Sequence, residues 1–375
     1  MIVIFYGTGA ELIKMYGIVK GVPRDQQYLL CTSQQYAGLQ RVHKQLDIEP
    51  DLYLTRGHKG EDVASMKQMA GLMLRAHGAY LKQLKTIRDH IKNSDKKHGT
   101  KSVVLVHGDT LTTVVGAYLG KLLKLPVGHV EAGLRSGSWK SPFPEELDRR
   151  IVAKIARLHF TPSQLAEKNL RDENTKGEII NTTYNTAKDA IEQSDTFVSE
   201  NYTALKLPEK YCLVLLHRTE LIESKSDFED ILRVIREYAD KKQHVVFTLH
   251  TTTKEKLTAH GLSHLLEHEY IRTIPKQPYF DFMAIVKNAE CIITDGGGLQ
   301  EDAFFLGIPT VVHRKRTERE DGLGHNATLS KMDLEVVRTF LQTHVKKEDL
   351  QKVSSEISPS KVVIEYLQDK KYIKS

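Results

Sequence analysis

Three consecutive glycines interrupt the stretch "TDGGGLQEDAFFLG", Thr294 to Gly307. Each glycine gives up more backbone freedom on folding than another residue would, so a triplet is unfavourable unless something must lie against it. The apolar run before it reads as a strand, and the segment after it reads as a helix beginning near Gly298. Free N–H groups and the positive end of a helix dipole then meet at one turn, which suits an anion, phosphate best. A plain strand–helix turn needs only one or two glycines, and the triplet Gly296, Gly297 and Gly298 favours the anion. Asp302, one turn into the helix, is placed to accept hydrogen bonds from ribose hydroxyls.

Acids occupy three comparable positions earlier in the chain. Asp109 in "LVHGDTLTT" and Glu131 in "PVGHVEAGLRSG" each follow a buried strand. "SPFPEELDRR" sets Glu145 and Glu146 at a helix start, after a proline suited to the first turn. A single helix-start glutamate ordinarily offsets the dipole. Acids at successive strand or helix ends of one sheet edge are candidates for general acid and base. In "YCLVLLHRTEL", His217 and Arg218 come directly after a strand. A lone histidine there is usually a packing residue, but an arginine beside it makes the pair a plausible phosphate partner. "RTERED", Arg316 to Asp321, follows the last strand and reads equally as a solvated loop or as charge supplied to a cleft.

The motifs that would demand a cofactor are missing. The 17 histidines are scattered without HExxH or a Cys/His cluster, so no metal site is expected. There is no GxGxxG, no GxxxxGK[ST] and no GxSxG, and no cofactor is called for.

The elements that must hold these residues are legible from periodicity. "IVIFYG", "QYLLC", "DLYL", "SVVLVHG" and "LPVGHVEAG" read as buried parallel strands, with helices such as "AELIKMYGIVK" and "TLTTVVGAYLGKLLK" between them. After a mostly helical stretch the pattern restarts with "YCLVLLH", "HVVFTLH", "YIRTI", "CIITDGG" and "PTVVH". This alternation predicts an α/β protein of two Rossmann-like domains, residues 1–185 and 186–358, with a final helix over about 359–375 returning to the first domain. Ligands of open α/β sheets bind outside the carboxyl ends of strands, so strand-end loops facing a common cleft are where chemistry is expected.

Composition narrows the class further. With 375 residues, 40% hydrophobic and 27% charged, the chain suits a two-domain globular protein. No apolar run approaches the roughly 18 residues that span a bilayer, and the opening "MIVIFYGTGAELIKM" reads as a strand, not a leader. Cys31, Cys212 and Cys291 are odd in number and lie in or beside apolar runs, as expected of buried thiols in a reducing cytoplasm. The formal net charge of +6 fits an anionic small ligand. The densest basic stretch, Lys92 to Lys101, has no interleaved aromatics and reads as a solvated helix end, so neither nucleic acid nor membrane is an expected partner.

Side by side, "HGDT", "PVGHVEAGLRSG", "SPFPEELDRR", "HFTPS", "HRTE", "DGGGLQEDAFFLGIPTV" and "RTERED" resemble the UDP-N-acetylglucosamine 2-epimerase family in order and spacing, from Ile2 to about Asp321. The resemblance implies a GT-B-like pair of domains facing a central cleft, with UDP held by the second. It implies inversion at C2 of a UDP-bound sugar through elimination of UDP and its readdition. Asp109, Glu131 and Glu145 match the family's proton-transfer acids, and His217 matches the histidine against the leaving diphosphate. Lys14, Arg149, Arg218, Phe282, the glycine triplet, Asp302 and Arg319 match positions that bind the UDP-sugar. Gln34 and Arg56, with Lys14, sit where bacterial members bind a second UDP-sugar as activator. A UDP-sugar substrate, a homodimer and a cytoplasmic enzyme are what the likeness implies.

The chain departs from the family pattern at named places. "GTGAE" replaces GTRPE, so Gly9 stands where an arginine is usual. Gly296 replaces a serine, Asp302 a glutamate, Tyr184 the glycine of GNT, and "TERED" replaces TERPE. The leading expectation is a non-hydrolysing UDP-GlcNAc 2-epimerase. Its rivals are a hydrolysing relative that releases N-acetylmannosamine, a GT-B glycosyltransferase, and a nucleotide-sugar sensor without the acids.

Overall fold

The computed structural model describes residues 1–55, 66–137, 144–199, 202, 204–317, 319–343, 347–350 and 356–374. The chain divides into two compact units, Met1–Glu192 with Glu356–Ser375, and Gln193–Ser355.

The first unit runs β1 (Ile2–Tyr6), α1 (Gly9–Gly21), β2 (Gln27–Cys31), α2 (Tyr36–Leu46), β3 (Leu52–Tyr53), α3 (Met66–His98), β4 (Val103–His107), α4 (Leu111–Leu123), β5 (Val127–Val130), α5 (Glu145–Ile155), β6 (Leu158–Thr161), α6 (Gln164–Asp172), β7 (Glu178–Asn181) and α7 (Ala187–Glu192). Its strands are parallel, in the order β3-β2-β1-β4-β5-β6-β7. β1 and β4 are buried along their whole length, as expected for central strands covered on both faces. Their helices can lie close because of small residues. A Cβ on Gly116 of α4 would come within 2.8 Å of Phe5 Cβ and Val106 Cγ1. Any larger residue there would push α4 off the sheet, at about 1–3 kcal/mol.

The second unit runs β8 (Cys212–Leu215), α8 (Thr219–Ile222), α9 (Lys225–Asp240), β9 (Val245–Leu249), α10 (Thr251–His260), β10 (Ile271–Pro275), α11 (Tyr279–Asn288), β11 (Cys291–Thr294), α12 (Gly297–Leu306), β12 (Thr310–Val312), β13 (Ala327–Leu329) and α13 (Leu334–Thr343). These strands are also parallel, in the order β10-β9-β8-β11-β12-β13. The α/β class and the two parallel sheets are as expected. All three cysteines are buried and free, and Cys212 and Cys291 face each other across β8 and β11.

Two expectations need correction. The stretch read as mostly helical contributes β6 and β7, four residues each, and the short β13 was not foreseen. The compact units divide at Gln193, and α7 packs on α1. The tail of the first unit begins at Glu356, ahead of α14 (Pro359–Asp369). The Asp189 carboxylate of α7 accepts the N–H of Ser360 at 2.8 Å, which ties α14 to the first unit. The amino terminus donates to the Tyr372 carbonyl at 2.8 Å and closes the same belt. Among the described residues no helix is long and apolar enough to cross a membrane.

Candidate active site

In the first unit the strand order reverses between β1 and β4, where an open α/β sheet presents its binding edge. Asp109 follows Gly108, whose φ of 69° glycine adopts without strain. His129 of β5 donates from Nε2 to the Gly108 carbonyl at 2.7 Å and so fixes this turn. Burial pushes the His129 imidazole down to about 3, which keeps it neutral. The Asp109 carboxylate pairs with the Arg149 guanidinium of α5, which also reaches Glu146 Oε2 at 3.5 Å.

The two adjacent glutamates of α5 have different surroundings. Glu146 is fully buried and accepts from Arg150 Nε at 2.9 Å and from the Ser136 N–H at 3.1 Å. It anchors the loop after β5 to α5. Glu145 is half-buried, and its Oε2 has no hydrogen-bond partner among the described residues. Of these two glutamates, Glu145 is the one with a carboxylate oxygen that no described residue engages.

Glu131 adopts φ 67°, a left-handed conformation that is uncommon for a residue with a side chain. Its carboxylate accepts from Lys14 Nζ of α1 at 2.6 Å and from the Asn185 amide, with His107 Nε2 at 3.7 Å. A cation and an amide thus hold one carboxylate at the end of β5. Lys14, expected on the substrate, has its ammonium on Glu131. Gln34 is buried, its Oε1 accepting from the Thr112 hydroxyl at 2.8 Å, while Thr112 also meets Thr32 at 2.9 Å. Arg56 lies outside the described residues.

The second unit carries the other expected residues. α12 begins at Gly297 with Gly296 as N-cap, one residue earlier than expected, and no side chain caps it among the described residues. A Cβ on Gly296 would stand 3.0 Å from His217 Cε1, a tight contact that the glycine relieves. Gly298 is exposed, with open space where a Cβ would go. The turn after β8 is held from β11. Asp295, buried, accepts the N–H groups of His217 and Arg218 at 3.0 and 2.9 Å, and its Oδ1 lies 3.2 Å from His217 Nδ1. The His250 ring stacks on His217 with centroids 4.8 Å apart. Burial first, then the charge of His217, pushes His250 down to about 4.

Arg218 Nη1 lies 3.7 Å from Glu220, and Phe282 is half-buried on α11. Asp302 accepts from the Tyr279 hydroxyl at 3.4 Å. Arg319 is buried and its guanidinium pairs with Glu301 of α12. Gln300 Nε2 donates to the carbonyls of Arg319 and Asp321 at 3.2 and 2.9 Å, so α12 also holds the "RTERED" loop.

A model of the UDP-N-acetylglucosamine 2-epimerase family matches residues 22–360. The chain belongs to this family. It is 34% identical over 327 residues to the UDP-N-acetylglucosamine 2-epimerase of Bacillus subtilis, covering 85% of this chain and 80% of that one. Among solved structures it is similar to the Methanocaldococcus jannaschii UDP-GlcNAc 2-epimerase in complex with UDP-GlcNAc and UDP. That likeness has a TM-score of 0.79 at 26% identity, over 98% of this chain and 99% of that one. Staphylococcus aureus MnaA, solved with UDP, has a TM-score of 0.76 at 26% identity, over 98% of this chain and 96% of that one.

Within this 2-epimerase chain, several residues of the site escaped the reading of the sequence. Asn185 and His107 join Glu131 only through tertiary contact. Asp295 lies inside the quoted glycine stretch, and its place directly after a strand was the available signal. Glu11 was legible too. Thr8 and Glu11 have capping-box spacing and form that box at the start of α1.

Proposed function

We propose that this enzyme interconverts UDP-GlcNAc and UDP-ManNAc without hydrolysis, by elimination of UDP to a 2-acetamidoglucal and readdition to C1. The observation that carries the reading is the uncapped N-terminus of α12 with His217, held by Asp295, against Gly296. A diphosphate leaving C1 gathers charge, and oriented N–H groups with a neighbouring imidazole stabilise that charge. The C2 proton is weakly acidic, so its removal by a carboxylate depends on simultaneous cleavage of the C1–O bond. The C2–H electron pair becomes the C1=C2 bond, and the C1–O pair leaves with UDP. In the return step a UDP oxygen adds to C1, and a proton is delivered to the other face of C2. We assign these proton transfers to Glu131, Asp109 and Glu145. The sequence of steps is redox-neutral and needs no nicotinamide.

Relatives solved with UDP-GlcNAc or UDP supply the substrate class for this reading. A homodimer accompanies it, since Leu74 and Leu81 of α3 and Tyr118 of α4 are exposed and offer apolar surface to a second copy. Sedimentation equilibrium checks that assembly, and a monomer at working concentration rejects it. Proton NMR with UDP-GlcNAc in heavy water tests the reaction. Product UDP-ManNAc carrying deuterium at C2 is expected. Free ManNAc with UDP moves the enzyme to the hydrolysing relatives, and hydrogen fully retained at C2 removes the solvent-exchanging acids.

A further inference from the structure

α5 holds a carboxyl that the proton-transfer set leaves out. Asp148 lies one helical turn beyond Glu145, is only 4% exposed, and its Oδ2 has no hydrogen-bond partner among the described residues. The charged groups acting on it are Asp109, from the turn after β4, and Glu145 and Arg149 of its own helix. Arg149 is itself buried and is already shared by Asp109 and Glu146. Asp109 and Glu145 therefore act on Asp148 as like charges, while the one guanidinium that opposes them is already engaged by Asp109 and Glu146. A buried carboxyl beside like charges favours its neutral form, because ionisation loses solvation and adds repulsion. Burial first, then the charges of Asp109 and Glu145, push Asp148 up to about 7, against the opposite pull of Arg149.

We propose that Asp148 is a positioning residue that holds the proton of this acid cluster, leaving Asp109 and Glu145 as the carboxylates that meet the substrate. The proposal rests on the epimerase reading of those two acids. Ionisation of Asp148 puts a further negative charge in the cluster, which repels an anionic UDP-sugar. As pH rises above neutrality, kcat/KM should fall by up to about tenfold per pH unit, the limit for one ionisation.

Asp148→Asn keeps the shape and fixes the neutral state, so its profile should lose that alkaline limb. Infrared difference spectroscopy over pH 5 to 9, with carboxyl-labelled aspartate in the full-length enzyme, reads the proton directly. A protonated-carboxyl band that disappears near neutral pH in the wild type, and is missing from Asp148→Asn, supports the proposal. Its absence from the wild type overturns the proposal, whether or not epimerisation is observed. An Asp148→Asn profile with an unchanged alkaline limb also overturns it. A band present in an enzyme that does not epimerise UDP-GlcNAc leaves the proton on Asp148 and removes only the reading of the reaction.

Discussion

The two units build the same kind of parallel sheet yet treat the helix N-termini at their strand-order reversals in opposite ways. Both strand–helix turns at the strand-order reversal of the first unit are closed by their own side chains. Glu11 accepts the N–H groups of Gly7 and Thr8 at 2.7 and 2.9 Å and the Thr110 hydroxyl, and Thr110 caps α4 by accepting from the Thr113 N–H. Neither turn is left open to a phosphate. In the second unit Asp295 takes up the donors of the turn after β8, while the N-terminus of α12 has no side-chain cap among the described residues. The same fold therefore offers carboxylates in one unit and, among the described residues, a helix N-terminus without a side-chain cap in the other. The placement of one acid within each turn makes the difference.

The sharpest way to break this division is to remove a carboxylate and ask whether the nucleotide notices. Glu131→Gln should lower turnover by roughly a hundredfold or more while UDP affinity, measured by calorimetry, stays near wild type. A parallel loss of UDP binding would mean that the two functions are not separable. Glu11→Gln tests closure of the first unit. The buried carboxylate would become an amide with an N–H group aimed at other donors, so urea unfolding should show a loss of about 1–3 kcal/mol. No change in the unfolding midpoint would show that Glu11 is dispensable to that turn.

Gly297→Asp would give the second unit the kind of closure the first one has. A carboxylate at the start of α12 competes with the diphosphate and repels it, so UDP affinity should fall by about tenfold or more in a folded protein. Unchanged affinity would place the phosphate elsewhere.

The smallest expected effects are pH-dependent and run in opposite directions. The folded pKa of Asp148, about 7, lies above its ordinary 3.8. Its share of stability is complete below about pH 4 and is lost as pH rises through about 7. The folded pKa of His250, about 4, lies below its ordinary 6.5. Its share is complete above about pH 6.5 and is lost as pH falls through about 4. Asp148→Asn should therefore flatten the neutral side of a stability–pH curve, and His250→Asn the acid side. Curves parallel to wild type at both ends would show that neither group titrates as its surroundings imply.

The sequence by itself determined the alternation of strands and helices, the acids after β4 and β5, and the strand–glycine–helix turn before α12. Each of these is a local pattern in which backbone period and turn chemistry are written in adjacent residues. The short strands β6, β7 and β13 were harder to see, because three or four residues carry too little period to register. The family likeness pointed to Glu145 over Glu146, and only the tertiary structure supplies a physical reason for the difference. The two are neighbours with the same chemistry, and Ser136 and Arg150 claim only one of them. Tertiary structure also decided that Gly296 makes room for His217, that Asp295 positions that histidine, and that Cys212 meets Cys291. Charge and hydrogen bonding act through space. Which carboxylate is paired, and which is left for a substrate, depends on residues brought near by the sheet order and not by the chain.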